Sequence, residues 1–150
     1  MATAHAVTLK GRALRLLSGR EYSRAELERK LRAHEDEPGA LARALDELQA
    51  KDFINEQRVV DSVVHRRAPK LGSQRIRQEL QAKGLEPEAV AEAIAQLRST
   101  EVDRAREVWR KKFSNPPFDA VQRAKQMRFL ATRGFEGDTI RRVVTGGDDD

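Results

Sequence analysis

Apolar side chains recur along most of the chain at the spacing of an α-helix. The first stripe, at positions i, i+4, i+7 and i+8, consists of Leu9, Ala13, Leu16 and Leu17. A valine cluster is the one candidate for a strand, but its i, i+1, i+4, i+5 spacing is helical and does not alternate. Its members are Val59, Val60, Val63 and Val64. The pattern therefore predicts an all-α protein.

Residues that favour helix starts stand ahead of several such stripes. Ser23 and Glu26 have the spacing of a capping box, in which each side chain accepts a hydrogen bond from the backbone N–H of the other residue. Asn55 is the predicted N-cap of the helix that carries the valines. Pro38 suits the first position of a helix, where a missing N–H leaves no bond unmade. These signals predict short helices separated by turns.

The chain also repeats itself at a period of about 50 residues, within the range of known helical repeats. Residues 23–48 align without gaps on residues 72–97, and apolar positions match apolar positions. A further shift of similar size places Lys-Gly-Leu-Glu at 83–86 on Arg-Gly-Phe-Glu at 133–136. Since two amphipathic helices always align somewhere, the shared turn is the stronger observation. It predicts three repeats of three helices each.

The glycines of the shared turn indicate its backbone conformation. Gly84 and Gly134 stand where a helix C-terminus favours a residue at positive φ. The matching position in the first repeat is Glu35, so we expect that turn to be built differently.

The predicted fold is all-α, an elongated tandem array of three three-helix repeats. The repeats span residues 9–51, 55–98 and 102–145, with a flexible N-terminus at 1–8 and an acidic tail at 146–150. A unit of about 45 residues buries little apolar surface by itself, so the units are expected to stack into a curved array.

The composition argues against enzymatic chemistry. Cysteine is absent, which excludes disulfides, thiolate catalysis and cysteine-bound zinc. The three histidines are far apart, and none has a carboxylate at the spacing of a metal site or a catalytic pair. No phosphate-binding loop or nucleophile elbow is present. We therefore predict a non-enzyme that needs no metal or other cofactor.

No apolar run approaches the roughly 18 residues of a membrane span. The first residues also lack the basic-then-apolar layout of a secretory signal. We therefore expect a cytoplasmic protein that does not contact the membrane.

Basic charge recurs with the repeat. The chain carries a net charge of +5, and residues 1–34, 66–83 and 101–134 each carry +5 as well. An excess of this sign favours an acidic partner, with nucleic acid the first candidate. If the repeats stack in register, the basic segments line one side as a track. The alternative is that charged helices only solvate their outer faces.

Two groups of cations are the candidate partner-binding residues of this track. The densest group lies in the middle repeat and consists of Arg66, Arg67, Lys70, Arg75 and Arg77. The second group lies in the last repeat and consists of Lys111, Lys112, Arg123, Lys125 and Arg128. We expect the middle group to contribute most to binding, because a central unit stays in contact even when the terminal units fray.

Several segments resemble the RecX family of regulatory proteins. They are YSRAELERKL at 22–31, LGSQRIRQELQAKGL at 71–85, and RFLATRGF at 128–135. The resemblance runs over about residues 9–145, and its more specific parts are the Leu-Gly-x-x-Arg-Ile and Arg-Gly-Phe motifs.

The resemblance implies three tandem three-helix repeats and a protein partner. Members of this family bind the RecA recombinase along the groove of its filament on single-stranded DNA. They inhibit RecA ATPase and strand exchange, and so modulate recombination and the SOS response. On this basis we expect a monomer whose partners are the RecA filament and the single-stranded DNA within or near it.

Two other functions stay open at this point. A short three-helix unit also resembles a helix-turn-helix module, so the chain could be a regulator that binds duplex DNA directly. It could also be a helical adaptor for an unrelated protein, in which case its binding would not depend on DNA.

Overall fold

The computed structural model describes residues 7–146, and within that range the chain forms nine α-helices and no strand. The all-α prediction is therefore confirmed. The helices are α1 Leu9–Leu17, α2 Arg24–Leu31, α3 Ala40–Ala50, α4 Glu56–Arg67, α5 Ser73–Ala82, α6 Pro87–Arg98, α7 Glu101–Lys112, α8 Ala120–Thr132 and α9 Gly137–Thr145. Most of the predicted N-terminal segment 1–8, and all of the predicted acidic tail 146–150 except its first residue, lie outside the described residues.

The described residues divide into two compact units. The first takes in residues 7–62 together with the turn Lys83–Leu85. The second takes in Val63–Ala82 and the described residues from Glu86 onward. The division falls inside α4, and the turn after α5 belongs to the first unit rather than to the unit that holds α5.

The core of the first unit is formed by α1, α2 and α3, which pack against one another. Leu27, Leu45 and Leu48 are fully buried at its centre. The first helix stripe contributes through buried Ala13, while its leucines are partly buried against the same cluster.

The second unit contains two groups of packed helices. Helices α7, α8 and α9 surround a core in which Leu130 and Phe135 are fully buried. Helices α5 and α6 pack against each other through the residues that the repeat alignment matched to the first core. These residues are at most 5% exposed and comprise Ile76, Leu80, Val90, Ile94 and Leu97.

The predicted capping signals hold with one exception. Ser23 Oγ accepts from the Glu26 N–H (3.1 Å) and Glu26 Oε1 accepts from the Ser23 N–H (2.9 Å), so the capping box is present. Asn55 Oδ1 accepts from the Arg58 N–H at 3.0 Å. The prediction for Pro38 is wrong, because α3 begins two residues later at Ala40. Gly39 lies between them at φ +88°, a left-handed conformation that no residue inside a helix adopts.

Both glycine turns have the predicted conformation, with φ +72° at Gly84 and +91° at Gly134. In the first unit a Cβ on Gly84 would lie 2.6 Å from the Cβ of Ala25, in the first turn of α2. The adjoining Lys83 carbonyl accepts from Ser23 Oγ at 2.5 Å. The glycine is therefore required twice, by its backbone angle and by the close approach of α2.

The second unit repeats this contact between other segments. The N–H groups of Gly72 and Gln74, at the start of α5, donate to the carbonyls of Arg133 (2.8 Å) and Gly134 (3.0 Å). A Cβ on Gly72 would lie 2.4 Å from the Gly134 backbone. We call this arrangement, and its counterpart between α2 and the Gly84 turn, the glycine-turn contact. In the second unit it satisfies two backbone N–H groups at a helix start, and in the first unit the donor is the Ser23 hydroxyl.

The turn of the first repeat is different, as expected. A short 3₁₀ helix, Arg32–His34, follows α2, and Glu35 then takes an ordinary φ of −81°. No left-handed residue is needed there, so a side chain is tolerated at the position that glycine holds in the other two repeats.

Substituting Gly134 by alanine should destabilise the protein by about 2–5 kcal/mol. About 1–2 kcal/mol comes from forcing a side chain into the left-handed conformation, and the rest from overpacking, since the new Cβ would lie 2.2 Å from Arg75 Cγ. Gly146→Ala is the matched control, because Gly146 also has φ +72° but faces open space. Denaturant unfolding measures both variants, and equal losses would show that the close approach is unimportant.

A pH dependence is expected from Glu26, beside the first glycine-turn contact. Burial raises the pKa of this carboxyl, but the Ser23 N–H, Arg20 and Lys83 outweigh burial and lower the pKa to about 2 from 4.5. A carboxyl with a depressed pKa in the folded state stabilises the fold above its unfolded pKa, and that stabilisation is lost as the pH falls.

The free energy of unfolding should therefore decline from about pH 4.5 towards pH 2, and the decline should be shallower in Glu26→Gln. Urea titrations of both proteins across this range provide the measurement. Parallel pH profiles for the two proteins would contradict the assignment.

Candidate partner-binding site

All ten predicted cations lie in the second unit, on α4, α5, α7 and α8 and in the turn after α4. Arg67 and Arg77 are half-buried, and the other eight are exposed: Arg66, Lys70, Arg75, Lys111, Lys112, Arg123, Lys125 and Arg128. Exposure alone does not make a cation available to a partner, so the contacts of each decide its role.

The arginines of the middle group are engaged within the protein. Arg67 Nε donates to Glu79 Oε1 at 2.9 Å, and Arg66 lies 3.9 Å from the same carboxylate. Arg75 Nη1 donates to the carbonyl of Thr132, the last residue of α8, at 2.6 Å. A partner that bound these groups would first have to break these interactions.

Arg77 is also near a carboxylate of its own unit. The hydrogen bond from Arg98 lowers the pKa of the Glu136 carboxyl, and Arg77 adds a smaller electrostatic contribution in the same direction. Part of the positive charge of Arg77 is therefore balanced by Glu136.

The other six predicted cations form no ion pair with any residue in the described range 7–146. They are Lys70, Lys111, Lys112, Arg123, Lys125 and Arg128. Five of them come from the second predicted group and one from the first. The available positive charge is thus concentrated in the last repeat rather than in the middle one.

Three of these six meet at one open groove with a volume of about 360 Å³. Lys111 and Lys112 come from the last turn of α7, and Lys70 comes from the turn after α4. The other lining residues are Arg133 and three apolar side chains, those of Pro69, Val108 and Phe129. We call this site, defined by these seven residues, the basic groove.

Phe129 supplies the aromatic part of the groove. Its ring contacts Phe113 edge to face, with centroids 5.4 Å apart and planes at 88°. The Arg133 guanidinium lies 4.6 Å from the ring centroid and the Lys112 ammonium lies 5.7 Å from it. Both distances are within the range of cation–π attraction, which favours the position of the two cations near the ring. We call the apolar side chains Pro69, Val108 and Phe129 the apolar floor of the groove.

Arg104 holds the loop that presents Lys70. Its Nη1 donates to the carbonyls of Ala68 and Leu71, each at 2.9 Å, and its Nη2 donates to that of Leu97 at 3.1 Å. Burial lowers the pKa of this guanidinium, and the nearby Glu101 carboxylate opposes the shift. Lys70 is thereby held at the groove by a side chain that is itself mostly buried.

The first unit contains a similar arginine. Arg58 in α4 donates to Glu21 (2.9 Å) and to the carbonyls of Asp52 (2.6 Å) and Phe53 (3.3 Å). Glu21 lies between the first two helices of its repeat, as the Ala68–Leu71 loop does in the next. In both cases an arginine in the leading helix of one repeat donates hydrogen bonds to the loop between the first two helices of the repeat before it.

The remaining three cations lie on α8, away from the groove lining. Arg128 lines a separate shallow depression with Met127, Ala131 and Ile140. Arg123 and Lys125 are two residues apart on the helix, so they point about 160° away from each other. The structure therefore does not join the second predicted group into one surface.

Phe129 and Arg133 were not among the predicted site residues, although both lie in the RFLATRGF segment. Arg133 precedes the turn glycine, and this position holds Lys83 in the middle repeat. The sequence signal that could have identified Arg133 is this recurrence of a cation directly before the turn glycine. The aromatic contact could not be inferred, because it depends on the packing of α7 against α8.

Two absences apply to the part of the chain that the structure describes. No helix in residues 7–146 is long and apolar enough to cross a membrane. In the same range, no three His, Asp or Glu side chains gather as ligands for a metal ion.

The three repeats correspond to three domains of one known protein family. The chain matches the three domains described as the first, second and third three-helix domains of RecX, at residues 10–48, 55–94 and 99–144. The chain belongs to the RecX family. The repeated three-helix architecture predicted from the sequence is confirmed.

Individual RecX proteins are similar over nearly the whole chain. The regulatory protein RecX of Leptothrix cholodnii is 51% identical over 138 residues, which covers 92% of this chain and 88% of the relative. That of Ralstonia nicotianae is 43% identical over 142 residues, covering 95% and 89%. These relatives are named as regulatory proteins and not as enzymes.

A crystal structure of RecX from Lactobacillus salivarius has the same fold. It superposes with a TM-score of 0.79 and covers 92% of this chain and 93% of its own, at 22% sequence identity. At that identity the likeness concerns the fold alone.

Proposed function

We propose that this protein binds the RecA filament on single-stranded DNA and inhibits RecA ATPase and strand exchange. It would thereby modulate recombination and the SOS response, acting in the cytoplasm as a monomer and without catalytic activity of its own. The observation that carries the proposal is its membership of the RecX family across all three domains.

The basic groove supports this proposal with a suitable chemistry. A filament of protein on single-stranded DNA presents phosphates and acidic side chains, and both are bound by lysine and arginine. Lys70, Lys111 and Lys112 are exposed and form no ion pair within residues 7–146. Binding through these lysines therefore breaks no internal ion pair.

The middle arginines have a smaller part in this proposal than the charge count suggested. Arg66 and Arg67 lie against Glu79, and Arg75 lies against the end of α8. Reversing their charge would disturb the fold as well as any contact, so these variants do not test binding cleanly.

The double substitution Lys111→Gln/Lys112→Gln should weaken inhibition of RecA ATPase by roughly five- to thirty-fold in concentration. This estimate assigns about 0.5–1 kcal/mol to each exposed ionic contact. The measurement is the rate of ATP hydrolysis by RecA on single-stranded DNA as the protein is titrated. Inhibition by the variant should also depend less steeply on salt, because fewer counterions are released.

Arg106→Gln/Arg110→Gln is the matched control, since it removes the same charge from the same helix. Both arginines lie beside carboxylates of α7, Arg106 beside Asp103 and Arg110 beside Glu107. The control should inhibit nearly as well as the unsubstituted protein, and circular dichroism should show equal helicity in all three. An equal loss in both variants would mean that net charge, and not the groove, governs binding.

Failure of the unsubstituted protein to slow RecA would contradict the proposed function itself. Tight duplex binding without RecA would then favour a direct DNA-binding regulator. Binding to another protein without any DNA dependence would favour an adaptor. With RecA omitted, the protein alone should hydrolyse neither ATP nor DNA.

A further inference from the structure

The basic groove is lined by apolar surface as well as by charge. Its lining includes Pro69, Val108 and Phe129. Its volume of about 360 Å³ is near the lower end of the range for small ligand pockets, about 300–1,000 Å³. A site of this size, with three apolar side chains in its lining, has room for one bulky apolar side chain.

Four cations share the lining of the groove with this apolar surface. Lys70 lies on the loop beside Pro69, Lys111 and Lys112 end α7, and Arg133 follows α8. Because they come from three separate places in the chain, a ligand whose apolar group is seated on the floor can place charges against several of them. An anionic ligand with one apolar group therefore complements both the charge and the apolar surface of the groove.

The Phe129 ring offers a nucleic-acid base at most one open face. Single-strand binders hold bases by stacking them on open aromatic faces. Here the Arg133 guanidinium lies 4.6 Å from the centroid of Phe129, and the ring also meets Phe113 edge to face. A base that stacked on the face covered by Arg133 would have to displace that cation.

We propose that the basic groove binds an acidic peptide segment with one bulky apolar residue at its centre. This proposal rests on the proposed function and deepens it, since it assigns the groove to the protein component of the filament rather than to its DNA. The apolar residue packs on Val108 and Phe129, and the flanking carboxylates pair with Lys70, Lys111 and Lys112.

The test uses the full chain and synthetic ligands, without RecA. One fluorescent peptide alternates aspartate and glutamate around a single central phenylalanine, and a second has alanine in place of the phenylalanine. The phenylalanine peptide should bind at least about tenfold more tightly, because burying an aromatic side chain contributes more than 1.4 kcal/mol. Fluorescence anisotropy measures both affinities.

Protein variants locate the binding. Lys111→Gln/Lys112→Gln should weaken the phenylalanine peptide by roughly five- to thirty-fold, whereas Arg106→Gln/Arg110→Gln should leave it nearly unchanged. An oligothymidylate of the same charge should compete poorly for the peptide site. These three results together support the proposal.

Two results would overturn it. Equal affinity for the phenylalanine and alanine peptides would mean that the apolar floor takes no part, and full competition by oligothymidylate would mean that the groove is a nucleic-acid site. Either could occur while the protein still inhibits RecA through Lys111 and Lys112, in which case the proposed function stands. Peptide binding as expected, combined with no effect on RecA, would instead overturn the proposed function and leave the chemistry of the groove intact.

Discussion

The fold depends on the glycine-turn contact, in which the start of one helix lies directly on the backbone of a distant turn. In the second unit a Cβ on Gly72 would collide with the Gly134 backbone, and a Cβ on Gly134 would collide with Arg75. The first unit has a related contact between α2 and the Gly84 turn, in which the Ser23 hydroxyl donates to the carbonyl of Lys83, 60 residues away. Helical propensity acts within a few turns and leaves such segments independent. These contacts supply the long-range order that the short helices cannot provide.

Periodicity and capping chemistry were enough to predict the helices, because both depend on neighbouring residues. The positive φ of Gly84 and Gly134 could be predicted for the same reason. The identity of the backbone that approaches each glycine could not, since nothing in the sequence pairs Gly72 with Gly134. Pro38 shows the limit within a single turn. It has a good residue type for a helix start, but the left-handed Gly39 beside it delays the helix.

The site shows a sharper limit of sequence reasoning. Counting charges identified the segments rich in lysine and arginine, but a count cannot tell a paired cation from an unpaired one. Glu79 is 12 residues from Arg67 and Thr132 is 57 residues from Arg75, so their engagement is a property of packing. For the same reason the sequence does not show that Lys111 and Lys112 share a groove with Phe129, which depends on the packing of α7 against α8.

The glycine-turn contact has two halves, the turn that contains the glycine and the helix start that lies against it. The three repeats do not all carry both halves. The middle repeat carries both, a close-approach turn at Gly84 and a receiving helix start at Gly72. The first repeat ends its second helix in the 3₁₀ turn before Glu35, and no turn glycine in the described range 7–146 lies against the start of α8 in the third repeat. The first and third repeats thus each carry only one half of the contact, and such atypical end units are common in repeat proteins. A duplicated middle repeat would find a matching half on either side, so gene duplication could lengthen this molecule without inventing a new contact.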